Sequence, residues 1–112
     1  MSAVANPVPN PVPNPVRGEA SLRVAGEVVV LRPSFAALVA AEGELGPLFA
    51  LVERAADGRL ALAELVALFW HCLHEAPAAV TREAVGEAVV VTGLAGVTPA
   101  LKVLLGQILG GR

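Results

Sequence analysis

Charged residues, basic clusters and cysteine pairs are all scarce in this chain of 112 residues. Only 16% of the residues are charged, against about 25% in average usage, and the mean hydropathy is +0.68. The basic residues are scattered, so no stripe of the kind that nucleic-acid binding requires is present, and we predict no nucleic-acid partner. The single cysteine, Cys72, excludes an intrachain disulfide. Because no secretory signal is recognisable either, we expect a cytoplasmic protein.

The chain also lacks a long apolar run. A helix that spans a membrane needs about 20 largely apolar residues. The longest uncharged run in the helical region lies between Glu87 and Lys102 and contains two threonines, two glycines and a proline. The other candidate is interrupted by Glu64, His71 and His74. We therefore predict no membrane insertion and assign the surplus of apolar residues to a surface that contacts a partner protein.

Motifs for catalysis or nucleotide binding are missing as well. The three serines, Ser2, Ser21 and Ser34, lie in no nucleophile-elbow pattern, and no glycine-rich phosphate-binding pattern follows a predicted strand. The ten carboxylates are spread singly, without a pair spaced for shared proton chemistry. We therefore predict that the chain is not an enzyme and that it needs no cofactor.

His71, Cys72 and His74 form the one grouping with metal-ligand chemistry. On a helix, Cys72 would point into an apolar stripe, whereas the two histidines would share another face with Glu75. Zinc sites take four ligands, or three and a water molecule, so this set is short. The favoured interpretation is a buried apolar cysteine beside two surface or interface histidines. A small metal or thiol enzyme remains a third hypothesis for the function.

Residues 6–17 consist of three copies of a four-residue repeat, NPVP-NPVP-NPVR. Each proline fixes φ and holds the residue before it extended, which predicts a polyproline-II-like segment. We expect residues 1–16 to form a disordered proline-rich arm and residues 17–112 to form a single domain. The arm is interpreted as an expansion of a single NPVR motif. The alternative is a ligand for a proline-recognition groove.

The residues after the arm predict a β-hairpin followed by a helix. Residues 22–24 alternate between apolar and charged, Gly26 suits a tight turn, and residues 27–31 are largely β-branched, as in a returning strand. Ser34 offers an N-cap to a helix that begins at Phe35. Because a lone hairpin is marginal in water, it must pack on the helices that follow.

Five helices are predicted after the hairpin, at about residues 35–42, 45–56 or 47–56, 61–75, 82–91 and 99–110. Thr81 is expected as the N-cap of the fourth helix. Thr98 is expected as the N-cap of the fifth, with Pro99 at its first position. The predicted fold class is therefore mainly α (α+β), with an N-terminal β-hairpin packed on a compact domain of about five short helices.

Two helix faces predict contact with a partner. Trp70 lies outside the main apolar stripe of the third helix and forms a second face with Ala67 and His74, and tryptophan is enriched at binding hot spots. The alternative is that this helix is buried on both sides and Trp70 belongs to the core. The fifth helix is apolar nearly all round, so it is either central to the fold or covered by another chain or a second copy. Its predicted partner-binding residues are Leu101, Leu104, Leu105 and Ile108.

The ordered series of short motifs resembles a known family. NPVRGE, followed by the hairpin and LRPSFAAL, resembles the start of the gene transfer agent family of phage-type tail assembly chaperones. LGPLFALVERAADGRLALAELVALFWHCL is similar to the middle of that family and TREAVGEAVVVTGL to its end, so the resemblance spans residues 14–109. The NPVP repeats depart from the family pattern, which needs only the last copy.

The resemblance implies a tail assembly chaperone that binds the tape-measure protein, or another tail protein, while the tail of a gene transfer agent or phage-like particle is built. A small domain with spare apolar helix surface would shield the apolar stripes of a long helical partner. The alternative is a minor structural component of the tail-like particle, and the two are distinguished by whether the chain is retained in purified particles.

Overall fold

The computed structural model describes residues 12–14 and 19–111. Strands β1 (Ala20–Val24) and β2 (Glu27–Leu31) precede three helices, α1 (Phe35–Leu45), α2 (Leu48–Ala56) and α3 (Leu62–Cys72). A two-residue strand, β3 (Leu73–His74), follows α3 directly and leads to α4 (Arg82–Thr92) and α5 (Leu94–Gly110). Five helices beside a small antiparallel sheet confirm the predicted fold class. Of the predicted arm, only residues 12–14 belong to the described part.

The predicted hairpin closes with a two-residue turn. Val24 pairs with Glu27, and both residues between them have a positive φ, 52° at Ala25 and 81° at Gly26. This is the geometry of a type I′ turn, whose twist matches that of the two strands. Glycine adopts such a φ freely, whereas Ala25 does so at a steric cost. The buried side chains of β1 share one face of the sheet: Ala20, Leu22 and Val24.

Glu19 ties the NPVRGE motif to the sheet, although its side chain is only 3% exposed. One carboxylate oxygen accepts the backbone N–H of Asn14 at 2.8 Å, and the other accepts the Nε–H of Arg32 at 2.5 Å. The backbone N–H of Glu19 donates to the carbonyl of Asn14 at 3.0 Å. Buried carboxylates need such partners, so Glu19 links the backbone of Asn14 to Arg32, the residue that follows β2.

A short strand replaces the end of the predicted third helix. The helix was expected to reach Glu75, but α3 ends at Cys72, and Leu73 and His74 pair antiparallel with β2. The backbone N–H of Arg32 donates to the carbonyl of Cys72 at 2.7 Å. The apolar periodicity of α3 continues through Leu73, so the pattern alone gives no sign that the backbone leaves the helix to extend the sheet.

Two predicted N-caps are confirmed by their hydrogen bonds. The hydroxyl of Ser34 accepts the N–H of Ala37 at 3.2 Å, and the hydroxyl of Thr81 accepts the N–H of Ala84 at 3.1 Å. Each bond pairs one of the N–H groups that a helix start leaves without an intrahelical acceptor. α1 runs beyond its predicted end at residue 42 because the glycine with positive φ that ends it is Gly46.

The predicted start of the fifth helix is wrong. α5 begins at Leu94, so Pro99 lies inside the helix, and the hydroxyl of Thr98 donates to the carbonyl of Leu94 at 2.7 Å instead of capping. The cause is Gly93, whose φ of 89° ends α4 and lets α5 start at once in a new direction. Pro99 is the sixth residue of α5, so it removes the hydrogen bond to the carbonyl of Ala95 and its ring crowds that carbonyl.

The core lies where α3 meets α1 and α4 and where α4 and α5 cover the inner face of β1. Apolar side chains from both strands of the hairpin and from all five helices contribute to this one cluster. The largest fully buried ones are Phe69, Leu31, Leu51, Leu68 and Leu104. The core therefore includes the C-terminal helix, which leaves only the outer side of α5 for contacts with other molecules.

Candidate interaction surfaces

The predicted partner-binding face of α5 points mostly into the domain. Leu104 is completely buried in the core, and Leu101 and Leu105 are half-buried and pack against it. Ile108 is half-buried near the end of the helix. Leu104 is therefore out of reach of any partner while the domain is folded, and contact through the other three residues stays a prediction.

Trp70 and His74 do not form the predicted second face of α3. Trp70 is half-buried and packs against the core, and Ala67, one turn before it, is completely buried. His74 lies beyond the helix in β3, with its Nε2 3.7 Å from the carboxylate of Glu75. Contact with a partner through Trp70 and His74 stays a prediction.

The outer face of α5 is exposed and contains one charged side chain. Pro99, Lys102, Val103 and Gly106 follow one another at helical spacing on this face, and all four are exposed. Lys102 is the only lysine of the chain. Within residues 12–14 and 19–111 it forms no ion pair. We call these four residues the α5 outer stripe.

A shallow, open groove of about 410 Å³ lies between α3 and α4. Leu62, Val66 and Val90 provide its apolar surface, and Val90 is 65% exposed. Its other residues are the small Ala63 and Gly86 and the charged Arg82, Glu83 and Glu87. We call this feature the α3/α4 groove. Sequence analysis did not identify it, although the i, i+4 pairs Leu62–Val66 and Glu83–Glu87 were a usable signal.

Other apolar side chains are exposed away from this groove. On α1, Phe35 is 85% exposed and Val39 lies one turn after it. On α2, Phe49 is 78% exposed, and together with Val52 and Leu109 it borders a pocket of about 220 Å³ between α2 and the end of α5. The exposed apolar surface is therefore divided into several patches that different helices border.

An ion cluster joins three helices near one end of the α3/α4 groove. Arg82 of α4 binds the carboxylate of Glu44 through both terminal nitrogens, one of them at 3.0 Å, and the Nε2 of His71 lies 2.8 Å from the same carboxylate. The hydrogen bonds from Arg82 and then from His71 lower the pKa of Glu44 to about 2. Such a two-pronged contact fixes the direction of the guanidinium, so the cluster holds α1 and α4 together.

A family model described as phage tail tube protein, GTA-gp10, matches residues 17–111. The chain belongs to this family. The match includes every helix and strand of the described domain, so the coarser part of the resemblance, a tail protein of the gene transfer agent and phage type, is confirmed. It does not distinguish a chaperone from a particle component. Comparisons with curated proteins and with solved structures found no match.

The described part of this tail protein contains neither a single membrane-spanning helix nor a convergent set of metal ligands. Among those residues no individual helix has the length and hydropathy to cross a membrane, although two sharply bent pairs of consecutive helices would suffice by length and composition. No three histidine, cysteine or acidic side chains of the described residues converge as metal ligands. His71, which binds Glu44, and His74, in β3, belong to different elements, and Cys72 is completely buried.

The thiol of Cys72 is expected to be almost unreactive in the native tail protein. Burial raises its pKa to about 12, and the thiolate is the reactive form. Alkylation by iodoacetamide at mildly alkaline pH should be at least about 100-fold slower in the native chain than in urea. Mass spectrometry over a time course measures both rates. Equal rates would show that the region around Cys72 opens readily, and would revive the thiol-enzyme hypothesis.

Glu44→Gln is expected to destabilise the tail protein at neutral pH and to have little effect in acid. Because the folded-state pKa lies below the ordinary value of 4.5, the stabilisation is fully present above about pH 4.5 and is lost as the pH falls towards 2. Urea unfolding of wild type and variant at several pH values measures the difference in unfolding free energy. Glu53→Gln, an exposed carboxylate on α2, is the control. A difference that does not change with pH would contradict the assignment.

Proposed function

We propose that this family member is a structural subunit of a phage-like tail and that it acts by binding neighbouring tail proteins rather than by catalysis. The observation that supports this most is the division of its exposed apolar surface into separate patches on different helices. A subunit of a repeating assembly meets its neighbours through more than one surface, because contacts that are not two-fold symmetric use two different patches. The family description, a tail tube protein, favours the same role.

The exposure of large apolar side chains agrees with this proposal. Contiguous exposed apolar patches mark contact sites, whereas single exposed apolar side chains are normal. Here Phe35 lies one turn before the exposed Val39, and Phe49 borders a pocket with Val52 and Leu109. Both would be covered in an assembly. In this proposal the subunit is made in the cytoplasm and needs no cofactor.

A tail assembly chaperone that binds the tape-measure protein is the second candidate. The same exposed phenylalanines favour it, since a long helical partner with apolar stripes would cover them during assembly. The two candidates differ in what happens afterwards: a subunit stays in the finished particle, and a chaperone leaves it.

The deciding experiment is quantitative mass spectrometry of purified particles, with the tape-measure protein as the internal standard. Several copies of this chain per particle would support the structural role. Absence from the particles, together with co-purification of a tagged copy with the tape-measure protein from cells, would replace the structural role with the chaperone role.

A variant pair adds specificity to that experiment. Phe49→Asp places a charge on an exposed patch without disturbing the core, and Glu53→Gln, one turn later on α2, is the matched control. If the Phe49 patch is a contact, Phe49→Asp lowers incorporation into particles and Glu53→Gln does not. Equal incorporation of both would remove this patch from the contact surface.

A further inference from the structure

Two unpaired carboxylates border the α3/α4 groove. Glu83 and Glu87 lie four residues apart on α4 and both are exposed. Within the described part of the chain neither is within ion-pair distance of a cation, whereas Arg82 beside them is already bound to Glu44. Like charges at i, i+4 repel each other along a helix. A cation brought in by a partner would relieve this repulsion.

The α5 outer stripe carries a cation, Lys102, that a second copy could place beside Glu83 and Glu87. In the described part of the chain the arginines at positions 32, 54, 59 and 82 each bind a carboxylate, whereas Lys102 and Arg23 form no ion pair. Arg23 donates instead to the carbonyl of Gly26 at 3.4 Å. Beside Lys102, the stripe offers only Val103 and the small residues Pro99 and Gly106, so another surface can approach the helix closely. The surface is therefore mainly apolar with one ammonium group, and the groove is mainly apolar with two carboxylates.

The two surfaces also agree in length, and they cannot meet within one molecule. The stripe from Pro99 to Gly106 is about 10 Å long and the α4 side of the groove, from Arg82 to Val90, is about 12 Å long, at about 1.5 Å per helical residue. Leu104, on the opposite side of α5, holds the helix in its own core. The stripe therefore faces away from the described domain and is open to another molecule.

We propose that the α5 outer stripe of one copy docks in the α3/α4 groove of a second copy, with Lys102 placed between Glu83 and Glu87. Stripe and groove are different surfaces, so a copy whose groove is occupied still has its own α5 outer stripe free to dock in a third copy. Contacts of this kind repeat head to tail and generate a ring or a filament. The proposal rests on the structural role proposed above and specifies the contact between like subunits.

Sedimentation of the full-length chain over a dilution series, at low salt, tests the contact. The average mass of the wild type should rise with concentration. Lys102→Glu, or Glu83→Lys together with Glu87→Lys, should each weaken the association about tenfold or more, because like charges then face each other. Glu53→Lys, an exposed charge reversal on α2, is the control and should associate like the wild type. Circular dichroism should show that all variants remain folded, since every altered side chain is exposed.

An equimolar mixture of the two variants gives the sharpest outcome. The intact groove of Lys102→Glu accepts the intact Lys102 of the groove variant, so one-to-one pairs should form. The two altered surfaces are also opposite in charge, so repeated association should return as well. Three results would each overturn the proposal: no return of association on mixing, variants that associate like the wild type, or a wild type that stays monomeric at every concentration. A wild type that stays monomeric is the result expected if the groove binds another tail protein instead. Particle composition tests the structural role separately, so a monomeric chain found in particles refutes only this contact.

Discussion

Leu104→Asp is expected to unfold most of the domain, whereas Val103→Asp, its neighbour on the same helix, is expected to leave it folded. Leu104 is completely buried among apolar side chains, while Val103 is 39% exposed on the outer face of α5. Losing a buried leucine costs about 2–5 kcal/mol, and a buried carboxylate without a partner adds to that. Since a small domain is stable by about 5–15 kcal/mol, most of its stability would be lost.

Circular dichroism and urea unfolding measure this difference. The Val103 variant should unfold cooperatively within about 0.5 kcal/mol of the wild type, as exposed substitutions usually do. Leu104→Ala is a milder second variant that should remain folded but lose about 3 kcal/mol. A Leu104→Asp chain with a wild-type unfolding midpoint would show that α5 does not pack in the core.

The result decides how binding experiments on α5 are interpreted. Loss of a partner in Leu104→Asp would report unfolding and not a lost contact. Val103→Asp alters the exposed side of the same helix without opening the core, so a loss of binding there would identify a surface. The same reasoning separates Lys102, which is exposed, from Leu101 and Leu105, which pack against the core.

The sequence predicts best those features that depend on neighbouring residues. The hairpin turn and the caps at Ser34 and Thr81 are each decided within four residues, and the structure confirms all three. The pairing of Leu73 and His74 with β2 depends on residues more than 40 positions away. Nothing local to the end of α3 indicates that pairing, since the apolar periodicity continues through it.

The direction of the apolar face of α5 is a second feature that local pattern cannot provide. Periodicity shows that Leu101, Leu104 and Leu105 share one side of the helix, but it does not show whether the domain or a partner covers that side. Here the domain covers it, because α5 contacts the hairpin strand β1 and α4, where the sheet needs a cover. The groove between α3 and α4 depends in the same way on how two helices are placed.

Arg32→Ala is expected to cost about 3 kcal/mol of stability, far more than the loss of an ordinary surface arginine. The substitution removes the Arg32 guanidinium, which binds the carboxylate of Glu19 at 2.5 Å, while the Glu19 side chain is only 3% exposed. Removing one partner of a buried ion pair costs about 3–5 kcal/mol, because the remaining charge stays desolvated. Arg32 is itself 29% exposed, which places the expected loss at the lower end. Urea unfolding at neutral pH measures it.

Arg59→Ala is the matched control, because Arg59 and Asp57 form an ion pair whose side chains are 65% and 59% exposed. Exposed pairs contribute about 0–1 kcal/mol, so this variant should unfold near the wild type. The double variant Glu19→Gln/Arg32→Ala should lose less than the sum of its single variants, since no charge is then left buried. Equal losses in Arg32→Ala and Arg59→Ala would contradict the buried pair. If the large loss is found, Glu19 is needed for folding, because its carboxylate links Asn14 to Arg32 at the end of β2.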